Sequence, residues 1–195
     1  IEKSNLKPGN DIVICLDVAA NELIKNKGEY SVQSKNFISV DDAVSYYKKL
    51  TTDYPIKSIE DPFAEDDWGA WKKITNAIGK NVQIVGDDLF VTNSKRLEKG
   101  IKDKSANSVL VKPNQIGTLT ETLKVIEMAK KANFNTIISH RSGDTEDTFI
   151  ADLAVGTMSS QIKTGSLARS ERVAKYNRLL RIEEELGNQA KMARI

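Results

Sequence analysis

Six short apolar segments of the chain each end on charged side chains that could together abstract a proton with the help of a metal ion. These residues are Asp17, Glu60, Asp61, Asp87, Asp88, Lys112, His140, Arg141 and Lys163. An unpaired ion is strongly penalised in the dry middle of a buried strand, whereas a charge at the strand's last residue can reach a solvated rim. If the six segments are parallel strands of one sheet, their charges converge at one end of it.

Carboxylates end three consecutive predicted strands, at Asp17, Glu60 and Asp87. Hard oxygen ligands in a chain with a single cysteine and a single histidine suit Mg²⁺ better than Zn²⁺. Each carboxylate could instead cap the helix that follows its strand. Three of them on consecutive strands favour the metal site.

Lysines end two later strands, at Lys112 and Lys163. An ordinary lysine, with a pKa of about 10.4, is a poor base at neutral pH. Partial burial, a second lysine nearby and bound cations would lower the pKa and leave an amine able to take a carbon-bound proton. The alternative is that each lysine pairs with a carboxylate, and sequence position alone does not decide between the two.

A cluster of hydrogen-bond donors, His140, Arg141 and Ser142, follows the fifth of these strands. The planar guanidinium of arginine suits a phosphate or a carboxylate, and serine adds a hydroxyl. Trp68 and Trp71 are interpreted as core and rim packing rather than as ligand-stacking residues.

Composition indicates an ordinary globular protein of one domain or a large part of one. The chain has 195 residues and a net charge of +2, which is too small to indicate a nucleic-acid partner. Cys15 lies in an apolar run and is expected to be buried. With one cysteine, no apolar stretch of about 20 residues and no leader pattern, we expect a cytoplasmic protein without a membrane span. Because the chain begins at Ile1, we expect it to be a fragment.

Amphipathic segments with helix start and stop signals separate the strands. The spacing predicts helices over 39–50, 67–78, 94–99, 118–132, a segment through Phe149, Ile150 and Leu153, and 170–186. Ser39 and Thr118 are predicted N-caps, supported by acids three residues later. Gly79, Gly100 and Gly187 are predicted helix ends, the first of them as a left-handed C-cap.

Two helix faces are also predicted. The apolar stripe of 118–132 is expected to be Leu119, Leu123, Ile126 and Ala129, and that of 170–186 is expected to include Val173, Leu180 and Ile182. The basic residues Arg169, Arg172, Lys175, Arg178 and Arg181 are expected to form a solvated helix face rather than a polyanion-binding patch.

The alternation of strands and helices predicts an α/β fold with a parallel sheet. No glycine-rich phosphate loop follows a strand, so a TIM-type (β/α) barrel is favoured over a dinucleotide-binding sheet. About six of its eight strand units are present, and residues 28–37 look like a small inserted hairpin.

Five long motifs resemble the enolases. They are SIEDPF at 58–63, GDDLFVTN at 86–93, VKPNQIGTLTET at 111–122, ISHRSGDTEDTFIADLAVG at 138–156 and QIKTGSLARSERVAKYNRLLRIEEELG at 161–187. The resemblance implies that residues 1–195 are the C-terminal part of the enolase barrel domain, without the N-terminal domain and the first barrel strands.

The resemblance also implies a role for each matching residue. Asp17, Glu60 and Asp87 match ligands of the first Mg²⁺, Lys112 matches the base that removes the C2 proton of 2-phosphoglycerate, Arg141 and Ser142 match phosphate contacts, Lys163 matches a carboxylate contact, and His140 matches an active-site histidine. Glu60, Asp87 and Lys112 are expected to border the substrate as well, and Asp88 matches a residue beside the metal ligand.

The enolases imply a glycolytic lyase with two Mg²⁺ ions per site that forms phosphoenolpyruvate reversibly and assembles as a dimer or octamer. The family's general acid and its lid serine lie on an earlier segment, so this chain alone is expected to be inactive or nearly so. Alternatives are a racemase or lactonising enzyme of the same superfamily, or a binding role with plasminogen or an RNA-degrading assembly, with a cell-surface or secreted pool.

Overall fold

The computed structural model describes residues 1–26, 28–33 and 36–193, which alternate between strands and helices as predicted. The strands are β1 (Ile14–Asp17), β2 (Ile24–Asn26), β3 (Glu29–Gln33), β4 (Asn36–Ser39), β5 (Ile56–Glu60), β6 (Gln83–Gly86), β7 (Ser108–Val111), β8 (Asn135–Ser139) and β9 (Gln161–Lys163). The helices are α1 (Val40–Asp53), α2 (Trp68–Ile78), α3 (Ser94–Asp103), α4 (Pro113–Ile116), α5 (Leu119–Lys131), α6 (Phe149–Gly156) and α7 (Ser170–Leu186). Within these ranges, none of the helices combines the length and hydropathy of a membrane span.

Six parallel strands form one curled sheet, in the order β1-β5-β6-β7-β8-β9. Asp17 pairs with Glu60, and Ser139 pairs with Lys163, so strand ends lie level with one another. The predicted parallel sheet with its charges at one end is therefore confirmed.

The strands alternate between two apolar environments, as a barrel wall does. Ile59, Ile84 and Val109 pack into the core between the sheet and its helices. A separate small cluster of Val85, Leu110 and Ile137 is formed by the intervening positions. Parallel strands covered on both faces read as continuous apolar runs, which is why these segments show no polar alternation.

The predicted burial of Cys15 is wrong, because its side chain is exposed. β1 pairs only with β5 in the described sheet, and Cys15 borders a cavity of about 370 Å³ together with Ser58, Glu60, Ile137 and Gln161. An apolar run therefore identified the strand but not the open space beside it.

The inserted hairpin is confirmed and is larger than predicted. β2, β3 and β4 form an antiparallel three-stranded sheet, although residues 34 and 35 of the predicted segment lie outside the described residues. The buried Tyr30 anchors it: its hydroxyl donates to Asp67 Oδ2 at 2.9 Å and accepts from the Ala64 amide at 3.2 Å.

Both predicted N-caps are confirmed. The Asp42 amide donates to Ser39 Oγ and the Glu121 amide donates to Thr118 Oγ1, each at 3.2 Å. The apolar stripe of α5 is wrong in part, because Leu119 and Leu123 are exposed. Its buried positions are Thr122, Val125, Ile126 and Ala129.

The predicted helix end at Gly79 is confirmed, because α2 stops at Ile78, but the predicted left-handed conformation of Gly79 is wrong, and so is the predicted helix end at Gly100. Gly79 has right-handed helical φ, and a Cβ there would lie 2.5 Å from the Thr75 carbonyl oxygen. Gly100 lies inside α3, which continues to Asp103, and a Cβ there would lie 2.7 Å from Phe90 Cζ. Close approach of other groups accounts for the absence of a side chain at both positions.

Helix α7 has the predicted bounds and is followed by Gly187, but its polar face differs from the prediction. Leu180 is exposed, whereas Arg172 and Lys175 are buried. The prediction that all five basic residues form a solvated face is therefore wrong.

We predict that Gly100→Ala destabilises the fold, although alanine is normally the better helix former. The new methyl group must displace the buried Phe90 ring, and overpacking of this kind costs about 1–3 kcal/mol. The free energy of unfolding, measured by chemical denaturation, should fall by that amount.

Gly156→Ala is the matched control, because nothing lies within 4 Å of a Cβ at that helical position. It should leave the stability unchanged or raise it by up to about 1 kcal/mol. Equal effects of the two substitutions would show that Phe90 packing is not the reason for Gly100.

Candidate active site

Lys163 at the end of β9 reaches the carboxylates of the first two strands of the sheet. Its Nζ donates to Asp17 Oδ2 at 2.7 Å and to both oxygens of Glu60 at 2.9 Å. Three residues from β1, β5 and β9 thus meet at one rim, as the strand-end pattern predicted.

A second ion pair lies further along the same rim. Lys112, directly after β7, pairs through Nζ with Asp87 Oδ2. The other carboxylate oxygen of Asp87 accepts a hydrogen bond from Gln115 Nε2 at 3.2 Å. Thr92 connects these groups, because its hydroxyl donates to Gln115 Oε1 at 2.8 Å and accepts from the Lys112 amide at 2.9 Å. Asp87 is therefore fixed by Lys112 and Gln115, and Lys112 is fixed by Asp87 and Thr92.

The sequence left open whether the lysines pair with carboxylates, and the geometry shows that both do. Burial on its own would lower the pKa of Lys163, but its hydrogen bonds to Asp17 and Glu60 outweigh burial and raise the pKa above the ordinary value. Burial raises the pKa of Glu60 to about 7, against the opposing effect of Lys163. Lys163 is consequently a stable ammonium group, unlike the lowered pKa considered from the sequence.

Asp61 supports the backbone of the rim. Its two carboxylate oxygens accept hydrogen bonds from the amides of Asp87 and Asp88, both at 2.9 Å. Burial raises its pKa to about 8, although both amide hydrogen bonds act in the opposite direction. Positive φ occurs at Asp61, Val91 and Thr92. This conformation is strained for Val91 and Thr92, because both are β-branched.

Among the described residues, the group of three carboxylates whose oxygens all lie within 4.8 Å of one another is Asp61, Asp87 and Asp88. The predicted trio Asp17, Glu60 and Asp87 is not brought together as closely. Both oxygens of Asp61 are occupied by backbone amides, however, and Asp88 accepts from Asn21 Nδ2 at 2.9 Å. Chemically, Asp61 is the carboxylate of the cluster least able to bind a cation.

The donor cluster lies at the same end of the sheet, directly after β8. Arg141 and Ser142 are exposed, and Arg141 Nη1 donates to Asn114 Oδ1 at 3.4 Å. His140 is half-buried and borders the cavity that Asp17, Glu60 and Lys163 also line. Burial, followed by the charge of Arg172, lowers the pKa of His140 below 6.5.

Several residues that hold this site were not singled out from the sequence. Thr92 and Gln115 lie inside the quoted motifs without a charge to mark them, and Asn21 lies in a short 3₁₀ turn after β1. The contacts of these residues can be seen only in the folded structure.

The fold and the site together define the class: a (β/α)-barrel protein with carboxylates and lysines at the carboxyl ends of its strands, where barrel enzymes place their chemistry. A family model described as "Enolase, C-terminal TIM barrel domain" matches residues 1–195. The chain belongs to this family, which confirms the predicted fold and the resemblance.

A relative supports the same conclusion. A curated protein named "Enolase", from Pelagibacter ubique (strain HTCC1062), is 65% identical over 195 residues, which are all of this chain and 46% of that protein. The chain thus spans about half the length of the relative. These matches do not favour the racemase or lactonising alternatives.

We predict that His140 titrates below pH 6.5. It is the only histidine of the chain, so a single imidazole C2–H resonance reports its protonation by NMR. Above pH 6.5, His140 is neutral in both the folded and the unfolded chain, so it does not lower the free energy of unfolding. As the pH falls below 6.5, the unfolded chain binds the proton first. The free energy of unfolding therefore decreases until the pH has passed the lower pKa of His140 in the folded chain. A midpoint at or above 6.5 would contradict this assignment.

Proposed function

We propose that this chain forms the metal-binding and substrate-binding rim of an enolase, the Mg²⁺-dependent lyase of glycolysis that interconverts 2-phosphoglycerate and phosphoenolpyruvate. The observation that carries the proposal is the convergence of Asp17, Glu60 and Asp87 with Lys112 and Lys163 at one end of the sheet. Family membership supports the same reaction. Family membership also supports the proposal that the enzyme is a homo-oligomer located in the cytoplasm.

The chemistry of the carboxylates fits a divalent cation. Asp17, Glu60 and Asp87 each direct oxygens at a lysine ammonium group, so all three already face positive charge. These three residues would hold Mg²⁺, which prefers carboxylate oxygen. When bound, the metal supplies positive charge that stabilises the enolate formed after proton removal.

We propose Lys112 as the base that accepts the C2 proton. The Thr92 hydroxyl accepts from its amide, and Asp87 holds its Nζ at the rim. The C2 proton is only weakly acidic, because it lies beside the carboxylate of the substrate. Its removal therefore requires an amine that is held in place in a site that excludes water.

The remaining polar side chains of the rim suit the two anionic groups of the substrate. Arg141 and Ser142, which are exposed beside the cavity-lining His140, would contact the phosphate, and His140 would border the substrate. Lys163 would contact the carboxylate, since its ammonium group already binds two carboxylates. Glu60 and Asp87 would border the same substrate.

Because the chain spans 46% of its relative, we propose that these 195 residues do not complete the reaction alone. Purified chain should form no phosphoenolpyruvate from 2-phosphoglycerate at a normal enzyme concentration. A full-length chimaera, in which this chain replaces the matching segment of the Pelagibacter ubique enolase, should form it.

We predict that Lys112→Ala in this chimaera abolishes exchange of the C2 proton of 2-phosphoglycerate with solvent deuterium. Loss of a positioned base lowers such a rate by roughly 10²–10⁴-fold. Exchange is followed by NMR, and calorimetry should show that Mg²⁺ still binds.

The matched control is Lys124→Ala, which removes an exposed lysine from α5. It should exchange the C2 proton at the parental rate. Exchange that survives in Lys112→Ala would mean that another group is the base.

We also predict that Lys163→Met tightens the binding of Mn²⁺, used as a spectroscopic probe for Mg²⁺. In the unliganded site, the Lys163 ammonium group neutralises Asp17 and Glu60 and competes with a cation for their oxygens. Removing a half-exposed ion pair of this kind should change the affinity by roughly two- to fivefold. The measurement is a Mn²⁺ titration by electron paramagnetic resonance at pH 8.5, with Lys124→Met as the control. Unchanged or weaker Mn²⁺ binding would show that Lys163 does not compete with the cation for the oxygens of Asp17 and Glu60.

A further inference from the structure

Helix α7 carries two cations that are buried and that no step above uses. Arg172 is 6% exposed and Lys175 is 0% exposed. They lie three positions apart and therefore share one face of the helix. A buried charge is costly unless its hydrogen-bonding groups are satisfied, so the partners of these two side chains indicate their role.

The hydrogen-bond partners of the Arg172 side chain belong to the segment that follows β8, and its Nε also lies 3.8 Å from Glu171 Oε1 on the same helix. Its Nη1 donates to the Arg141 carbonyl oxygen and its Nη2 donates to the Ser142 carbonyl oxygen, both at 2.9 Å. Nη1 also contacts Nδ1 of His140. One guanidinium group thus binds two consecutive peptide carbonyls through two separate terminal nitrogens, a geometry that the rigid planar fork fixes and that the single nitrogen of an ammonium group does not reproduce.

Lys175 holds the next part of the same segment. Its Nζ contacts the Thr145 carbonyl oxygen, donates to the Glu171 carbonyl oxygen at 2.8 Å and lies 3.6 Å from Asp144 Oδ1. The ammonium group is therefore held mainly by carbonyls. Hydrogen bonds from a charged donor are about twice as strong as those between neutral groups.

The same face of α7 also contacts the segment that follows β9. Gly165 has a φ of +79°, and a Cβ there would lie 3.1 Å from Arg172 Cδ and 3.2 Å from His140 Cε1. The Tyr176 hydroxyl donates to the Gly165 carbonyl oxygen. Two segments that border the rim are consequently fixed by one helix face.

We propose that Arg172 and Lys175 are positioning residues that hold residues 140–145 in the conformation in which Arg141 and Ser142 bind an anion. Neither side chain touches that anion. Arg172 acts by orienting two peptide groups, and Lys175 acts by fixing the following turn. The identity of the anion as the substrate phosphate rests on the proposed function, whereas the positioning role does not.

The contrast between Arg172→Gln and Arg172→Lys separates positioning from charge. Both variants lose the two-carbonyl fork, but only the lysine variant retains the positive charge beside His140. If Arg172 positions the segment, both should weaken binding of inorganic phosphate by roughly ten- to a hundredfold. If its charge alone matters, Arg172→Lys should restore binding.

The experiment uses the 195-residue chain, with the His140 C2–H resonance as the reporter in a phosphate titration. Hydrogen exchange of the Asp144 and Thr145 amides is the second reading, because the Asp144 amide donates to the same Arg141 carbonyl that binds Arg172. Both variants should exchange faster there, and the His140 midpoint should rise in Arg172→Gln but stay low in Arg172→Lys. Arg181→Gln, an exposed arginine on the same helix, should change none of these readings.

The proposal is overturned if either fork-deficient variant keeps parental amide protection and phosphate affinity, or if Arg172→Lys restores both. Should Arg172→Gln fail to fold by circular dichroism, Arg172→Lys and Lys175→Met carry the test, and both should lose amide protection at Asp144 and Thr145. If the parental chain itself does not bind phosphate, the proposed function fails at this site, while the exchange readings still decide the positioning role.

Discussion

The ion pairs of Lys163 with Asp17 and Glu60 join the last strand of the curled sheet to the first two, and the geometry of the rim depends on them. No backbone pairing joins β1 to β9 in the described part of the chain, so side chains make this connection. The Glu60 side chain is 8% exposed, that of Lys163 is 37% exposed and that of Asp17 is 47% exposed. The buried Glu60 therefore requires a cation more than the solvated Asp17 does, because an unpaired buried carboxylate is costly whereas an exposed pair contributes little.

The same constraint organises the rest of the site. The six parallel strands are mostly apolar, the carboxylates and lysines of the site lie at or directly after strand ends, and parallel pairing brings these ends level. Asp61 then fixes the backbone at Asp87 and Asp88, and Thr92 with Gln115 fixes Asp87 and Lys112. The strained backbone at Val91 and Thr92 lies within this network, in keeping with the way active sites retain unfavourable conformations when surrounding hydrogen bonds determine them. In the same way, Arg172 and Lys175 of α7 bind backbone carbonyl groups within residues 140–145.

How much could be predicted from the sequence differs between local and distant interactions. The strand ends, the N-caps at Ser39 and Thr118 and the parallel order depend on residues close in sequence, and all were predictable. The burial of Arg172 and Lys175 was not, because most of their partners lie about 30 positions away in the sequence and include carbonyls that any sequence supplies equally. Gly100 faces Phe90 and Cys15 faces an open cavity, and neither neighbour can be inferred from the surrounding residues. Residue chemistry predicted a metal site and a candidate lysine base, the resemblance to enolases assigned the individual roles, and these roles stay predictions that the experiments above test.

The central claim is that Asp17, Glu60 and Asp87 hold the divalent cation, rather than the closer cluster of Asp61, Asp87 and Asp88. The most direct measurement is a crystal structure of the chain grown with Mn²⁺, with the metal located by anomalous scattering. The account predicts a peak within coordination distance of Asp17, Glu60 and Asp87, with the Lys163 ammonium group moved away from the metal-bound oxygens and Asp61 still bound to the two amides. A peak on Asp61 and Asp88, or no peak at saturating Mn²⁺, would contradict it.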